Sequence, residues 1–137
     1  MIKFTNLDRA FTELQEELHD AYNEIHSSGQ VSNGKYCKLV EEDLKRITQR
    51  KFAKMFPSGT SAILGALLAW NIKNKKVACT NYSYVASTNQ AALFNEVELF
   101  DVDKNGLMQL QEQINHHACM PVSLYGNTVD YDNFYKN

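Results

Sequence analysis

Apolar residues in the first fifty positions recur at steps of three and four, the spacing that places them on one face of a helix. In residues 7–26 this stripe consists of Leu7, Phe11, Leu14, Leu18, Tyr22 and Ile25. Gly29 predicts the end of the helix, because glycine readily adopts the left-handed conformation found there. A second amphipathic helix is predicted from about Lys35, with Tyr36, Val40, Leu44 and Ile47 on its apolar side.

Beyond residue 50, short apolar runs alternate with segments of helical character. The runs predicted as strands are 52–57, 77–80, 97–100 and 118–124, and the predicted helices are 58–69, 83–94 and 107–114. Because alternating strands and helices imply parallel pairing with helical crossovers, the sequence predicts an α/β fold. We expect a small, mainly parallel sheet with flanking helices, in a single domain over residues 1–137.

The composition narrows the class of protein. A net charge of −2 argues against nucleic-acid binding, since phosphate backbones select strongly basic surfaces. No apolar run approaches the roughly 20 residues that a membrane helix needs, and the first eight residues lack a signal-peptide core. Cys37, Cys79 and Cys119 are widely spaced, without a CxxC pair, which predicts reduced thiols in the cytoplasm.

A turn of small residues from Ser58 to Ser61 connects a predicted strand to a predicted helix. Free backbone amides and the positive end of the helix dipole meet at such a turn, which suits a phosphate. The lysine of a nucleotide P-loop is absent, so ATP is not the expected ligand. An alternative interpretation is that Ser58 only caps the helix.

Residues 101–112 fit the calcium loop of an EF-hand, including glycine at position 106 and glutamate at position 112. Three observations argue against calcium. Residues 96–100 alternate like a strand, whereas an EF-hand needs a helix before its loop, and the sequence contains no second such loop. An acidic turn also suits the connection from a strand to a capped helix. Calcium binding therefore stays as an alternative function.

Two tyrosines, Tyr82 and Tyr84, follow the strand predicted at 77–80. Side chains at the carboxyl ends of parallel strands face the ligand crevice of open α/β sheets, although a tyrosine at a helix start is also ordinary. His116 and His117 are adjacent and would face different ways on a helix, and His19 and His26 have no acidic or cysteine partner at ligand spacing. The sequence therefore predicts no metal site.

Several stretches occur here in the order of one family, the DegT/DnrJ-type pyridoxal-phosphate-dependent sugar-nucleotide aminotransferases. They are 28–35 with 40–42, the turn 58–62, the segment 80–88, the stretch 100–103, and 121–126 followed by Asp130 and Asp132. The chain resembles the N-terminal part of this family over nearly its whole length. The resemblance also accounts for the aspartates of the calcium-like loop without calcium.

The resemblance implies a truncated large domain of a type I pyridoxal-phosphate aminotransferase. By position, Thr60 and Ser61 would bind the cofactor phosphate, Gly59 would allow its close approach, and Tyr84 would stack on the pyridine ring. The family often has tryptophan or phenylalanine at the stacking position, and usually histidine where this chain has Ser123. Its reaction moves an amino group, usually from glutamate, to a keto-sugar attached to a nucleotide.

The family keeps its Schiff-base lysine, and the aspartate that holds the pyridine nitrogen, after the stretch that matches 125–132. This chain ends at Asn137, and none of its lysines stands in a matching context. We therefore assign no catalytic residue and expect the isolated chain to be inactive in transamination. It is either completed by another polypeptide or serves as a non-catalytic phosphate or nucleotide-sugar binding module.

The family sheet is usually ordered 3-2-4-5-6-7-1, which has a consequence for assembly. The strands predicted at 77, 97 and 118 would be the second, third and fourth, and thus neighbours. The strand at 52–57 would lack its usual partner, and would pair elsewhere or be covered by a second chain. Because family active sites form between two subunits, we expect a homodimer or a complementing C-terminal chain.

Overall fold

The computed structural model describes residues 3–109 and 115–130. The chain divides into two compact units, Met1–Met55 and Phe56–Asn137, which are described in turn.

The first unit contains two helices, α1 (Leu7–Ser28) and α2 (Lys35–Thr48), as the apolar stripes predict. Gly29 ends α1 in the left-handed conformation, with φ of 68°. The Glu24 carboxylate near the end of α1 accepts hydrogen bonds from the side chains of Lys35 (2.7 Å) and Tyr36 (2.9 Å) at the start of α2. No residue from 3 to 55 is fully buried, so this unit has no closed core of its own.

The prediction of a strand at 52–57 is wrong for the described part of the chain, where this segment joins no sheet. Residues 54 and 55 of this segment contact α2 instead. The Glu41 carboxylate accepts a hydrogen bond from the amide of Met55 at 3.0 Å and pairs with the Lys54 ammonium at 2.9 Å. A strand exists only where a ladder partner satisfies its backbone groups. The apolar composition of the segment could not supply that partner.

The second unit is an α/β arrangement built on a three-stranded parallel sheet. Its elements are α3 (Gly59–Ala69), β1 (Lys76–Thr80), α4 (Ala86–Ala92), β2 (Glu96–Phe100), β3 (Ala118–Met120) and a 3₁₀ turn at Leu124–Gly126. The strand order β2-β1-β3 is the 3-2-4 arrangement expected from the resemblance. The predicted fold class is therefore confirmed.

The two faces of the sheet carry separate apolar clusters. Under α3 and α4, the buried residues are Leu67, Val77, Cys79 and Ala91. On the opposite face, Ala78, Phe100 and Met108 are buried, with Cys119 against them. Cys79 and Cys119 thus lie on opposite faces and are free thiols, and burial raises the pKa of Cys79 to about 11.

Three predicted elements differ from those observed. The helix expected at 83–94 forms only over Ala86–Ala92. The start of the helix expected at 107–114 is not helical, because Met108 forms an antiparallel bridge with Val102, and residues 110–114 lie outside the described part. The strand expected at 118–124 ends at Met120, where Pro121 lacks the amide that would continue a ladder.

Candidate functional site

The turn before α3 both caps the helix and leaves donors free. Ser58 is extended, and its hydroxyl accepts the Ser61 amide at 3.2 Å while its carbonyl accepts the Ala62 amide at 3.0 Å. The first amides of a helix have no intrahelical acceptor. Within the described residues, the amides of Gly59 and Thr60 have no acceptor. The cap interpretation is confirmed for the Ser61 amide, and the two amides without an acceptor leave the anion site as a prediction.

Open space surrounds this turn. A Cβ added at Gly59 would meet no atom within 4 Å, so the fold itself does not require glycine there. Thr60 and Ser61 are half-buried, and the Ser61 hydroxyl lies 3.1 Å from that of Ser58.

The topology brings the aromatic segment to the same edge of the sheet. Residues 70–75 connect the end of α3 to the start of β1, so α3 is antiparallel to β1. The first turn of α3 therefore lies at the carboxyl edge of the sheet. α4 follows β1 and starts at that edge too, and α3 and α4 pack side by side. In open α/β sheets, ligands bind at this edge.

Tyr84 lies between β1 and α4 with its side chain largely in solvent, at 75% exposure. Its carbonyl accepts the amide of Ser87 at 3.2 Å, which fixes the backbone at the helix start. Among the described residues, no hydrogen bond or ring contact joins Tyr84 to residues 59–61. The structure thus places the predicted site residues at one edge, and leaves the ring free to meet a ligand.

Two further features of this edge escaped the sequence analysis. Tyr125 adopts a left-handed backbone, with φ of 55° and ψ of 22°, and its hydroxyl raises the pKa of Tyr82 through a hydrogen bond. Asp101 at the end of β2 accepts a hydrogen bond from Asn81 at the end of β1. Both Asn81 and Asp101 directly follow neighbouring strands, and this position was the signal available in the sequence.

The calcium-like loop is organised around its own amides. A strand, β2, precedes it, as predicted, in place of the helix of an EF-hand. The Asp103 carboxylate accepts the amides of Asn105 (2.8 Å) and Leu107 (3.0 Å), and the Leu107 contact is the main reason its pKa is lowered. Glu112, the last expected ligand, lies outside the described residues.

The remaining ionisable groups of the described residues form no cluster of three that could hold a metal. His116 is the most enclosed histidine, and its Nε2 lies 3.0 Å from the Glu98 carboxylate without hydrogen-bond geometry. In residues 3–109 and 115–130, no helix is long and apolar enough to cross a bilayer.

A family model described as the DegT/DnrJ/EryC1/StrS aminotransferase family matches residues 12–136. The chain belongs to this family. The matched residues include the turn before α3 and the aromatic segment after β1.

Three solved structures resemble the chain. A DegT DnrJ EryC1 StrS aminotransferase from Brucella abortus has 19% identity and a TM-score of 0.83, over 99% of this chain and 40% of its own. Helicobacter pylori PseC, an aminotransferase involved in the biosynthesis of pseudoaminic acid, has 25% identity and a TM-score of 0.68, over 76% and 30%. S. venezuelae DesV, in complex with a ketimine intermediate, has 17% identity and a TM-score of 0.76, over 98% and 38%.

These likenesses confirm the fold and define its extent. The chain spans at most 40% of the length of the three family structures. It is thus similar to a fragment of an aminotransferase, as the resemblance in the sequence implies.

Proposed function

We propose that this chain supplies the cofactor-phosphate part of a pyridoxal-phosphate-dependent aminotransferase that acts on a keto-sugar attached to a nucleotide. The observation that carries the proposal is the family match over residues 12–136. It covers a helix N-terminus with two amides free for an anion. Pyridoxal phosphate, when bound, supplies the electron sink of the reaction.

The turn before α3 fits the cofactor phosphate. The amides of Gly59 and Thr60 would donate to two phosphate oxygens, and the Thr60 hydroxyl lies on the same first turn. The helix dipole adds favourable interaction with the dianion, typically about 0.3–1 kcal/mol at an exposed site. These residues bind and orient the phosphate, and they take no part in proton transfer.

Tyr84 would contribute the face of its ring to the pyridine ring. Its side chain is 75% exposed among the described residues, which leaves room for such a contact. Offset stacking of two aromatic rings is worth about 0.5–1.5 kcal/mol. Phosphate and ring contacts together orient the cofactor, and neither attaches it covalently.

No lysine of this sequence stands where the family keeps its imine-forming lysine, and the contacts of two described lysines support our proposal that the isolated chain does not transaminate. Lys54 pairs with Glu41 at 2.9 Å, and Lys76 lies 3.8 Å from Glu96 where β1 and β2 begin, at the opposite edge. The covalent lysine and the carboxylate for the ring nitrogen would come from polypeptide beyond these 137 residues.

A non-catalytic module that binds phosphate or a nucleotide-sugar is the second candidate. The free amides before α3 favour it, because they form an anion site without help from any lysine. Catalysis by a completed protein and binding by this segment alone share the same phosphate contact.

We propose a homodimer, or association with a complementing C-terminal chain, as the working assembly. α1 has no buried residue, and its apolar stripe is exposed, for example 78% at Leu7 and 62% at Tyr22. Contiguous apolar surface of this kind typically marks an interface.

The free thiols of Cys37, Cys79 and Cys119 support a reducing compartment such as the cytoplasm.

Amide chemical shifts during titration with pyridoxal phosphate test the phosphate contact. We expect the amides of Gly59 and Thr60 to shift, and inorganic phosphate to reproduce these shifts, whereas pyridoxal without phosphate does not. No shift near Thr60 with either phosphate compound would reject the site.

Gly59→Pro gives a matched variant for this titration. Proline is tolerated at the first helical position, and the extended Ser58 before it is compatible with proline. It removes one donor amide, so affinity for inorganic phosphate should fall by roughly tenfold, the value of a charged hydrogen bond. Gly59→Ala keeps the amide and places its Cβ in open space, so any loss that it causes measures how closely the ligand approaches.

A further inference from the structure

Asn81 and Asp101 are the first residues after two neighbouring parallel strands. The register pairs Thr80 with Phe100, so Asn81 and Asp101 stand side by side at the carboxyl edge. The Asn81 side-chain amide donates to the Asp101 carboxylate at 3.3 Å, and the Asn81 backbone amide donates to the carbonyl of Phe100 at 2.9 Å. Asn81 is therefore bound to β2 by both its main chain and its side chain.

Asp101 is itself held in place by its own surroundings. The carboxylate oxygen that accepts from Asn81 also accepts the amide of Val102 at 2.8 Å. The backbone carbonyl of Asp101 accepts a hydrogen bond from the amide of Gln109 at 2.9 Å. An acceptor fixed in this way provides a rigid point to which the end of β1 can be tied.

The segment between Asn81 and α4 carries the exposed ring of Tyr84. Within this segment the Tyr82 amide donates to the Thr80 hydroxyl at 3.3 Å, a local contact inside the same turn. The hydrogen bonds of Asn81 connect the segment to the rest of the sheet. Asn81 lies three residues before Tyr84, so its hydrogen bonds fix the start of the segment that carries the ring.

We propose that Asp101 is a positioning residue that acts through Asn81 and sets where the Tyr84 ring stands over the cofactor. This role rests on the proposed function. Asp101 does not contact the ligand, and Asn81 transmits its effect to the segment that does. Asp101, the first acidic residue of the calcium-like loop, would thus help to position Tyr84 in the cofactor site.

An exchanged pair tests this role. Asn81→Asp places two carboxylates against each other and should release the segment, whereas Asn81→Asp combined with Asp101→Asn restores one donor and one acceptor. In the ligand-free chain, the backbone amides at positions 81 and 82 donate to the Phe100 carbonyl and the Thr80 hydroxyl. We expect their exchange to rise about tenfold in the single variant and to return in the double variant, because local opening governs exchange. Unchanged exchange in Asn81→Asp would overturn the anchor.

Two ligands separate positioning from general destabilisation. In Asn81→Asp, affinity for pyridoxal phosphate should fall roughly threefold to tenfold, the size of one stacking contact. Affinity for inorganic phosphate should stay unchanged, since phosphate does not use the ring. In a Tyr84→Ala background, Asn81→Asp should cause no further loss. Equal loss of both ligands, or loss that persists without Tyr84, would overturn the proposal.

Failure of the proposed function gives a different pattern from failure of this inference. If the unaltered chain binds neither ligand, the cofactor site is rejected and the positioning role is rejected with it, whatever the exchange measurement shows. If the unaltered chain binds both ligands but Asn81→Asp weakens neither, only the role of Asp101 and Asn81 is wrong.

Discussion

At the scale of the residue, single polar side chains hold the connections of the second unit. Asn95 accepts the Lys75 amide at 3.2 Å and donates to the carbonyls of Ile72 (3.3 Å) and Ala91 (3.0 Å). One partly buried amide thus ties the loop before β1 to the end of α4. This role was not visible in the sequence, because an asparagine between a helix and a strand is an ordinary turn residue.

Replacing this side chain should destabilise the second unit. We expect Asn95→Ala to lower the free energy of unfolding by about 1–3 kcal/mol, because it leaves partly buried backbone groups without partners. Asn89→Ala on the exposed side of α4 is the matched control and should have little effect. Chemical denaturation measures both variants, and equal stability of the two would contradict the assigned role.

Asp103 gives the turn after β2 a pH dependence. Its folded pKa lies below the ordinary value of 3.8, mainly because the Leu107 amide bonds to the ionised carboxylate. A lowered pKa stabilises the fold above the unfolded value, and this contribution is lost as pH falls through the folded value. We expect exchange of the Leu107 amide, corrected for its intrinsic pH dependence, to accelerate as pH falls below the unfolded value of about 3.9. Asp103→Asn keeps an acceptor that does not titrate, so this acceleration should be absent there.

At the scale of the element, the sequence predicted what local periodicity encodes. Both helices of the first unit follow from their apolar stripes, and β1 and β2 follow from short apolar runs. The segment 52–57 has the same apolar character but no ladder partner, and 107–109 has helical spacing but joins a bridge at Met108. Pairing between distant segments decides these cases, and local pattern does not contain it.

Some features of the candidate site could likewise be predicted from local sequence, and others could not. The turn of small residues before α3 was recognisable, since capping residues at a strand-to-helix junction have a local signature. The hydrogen bond between Asn81 and Asp101 could not be predicted from the sequence, because it depends on the register of two strands. The role of Tyr84 came from the family resemblance and stays a prediction.

The loop at 101–112 should not bind calcium at sub-millimolar concentration. β2 precedes it, and the carboxylates of Asp101 and Asp103 already accept backbone amides. Calorimetric titration with Ca²⁺ measures this directly, with Glu112→Gln as the control variant. A binding signal in the unaltered chain that disappears in Glu112→Gln would show that the loop acts as an EF-hand site.

At the scale of the whole molecule, two observations support the proposed assembly. The chain spans at most 40% of the family structures that it matches. Its first unit has no buried residue between positions 3 and 55, so the apolar faces of α1 and α2 lack cover. Burial of apolar surface is the dominant favourable contribution to folding and association, which predicts an interface on these helices.

Sedimentation at micromolar concentration tests this expectation. We expect a homodimer or a larger assembly, and Leu14→Glu in the middle of the α1 stripe should shift it toward the monomer, because a charge at a buried interface is costly. Asn23→Glu on the polar side of the same helix adds the same single negative charge and is the matched control. A clean monomer that unfolds cooperatively would mean that the chain needs no partner.

The most direct test of the central claim is a trapping experiment on the 137-residue chain. The chain is incubated with pyridoxal phosphate, glutamate and a keto-sugar nucleotide, then reduced with borohydride, and its peptides are mapped by mass. Since Lys54 is paired with Glu41, Lys76 lies where β1 and β2 begin, and no lysine of the sequence matches the family's imine-forming position, we predict scattered partial labelling and no amino transfer. Stoichiometric labelling of one lysine, together with transfer of the amino group to the sugar, would contradict the account.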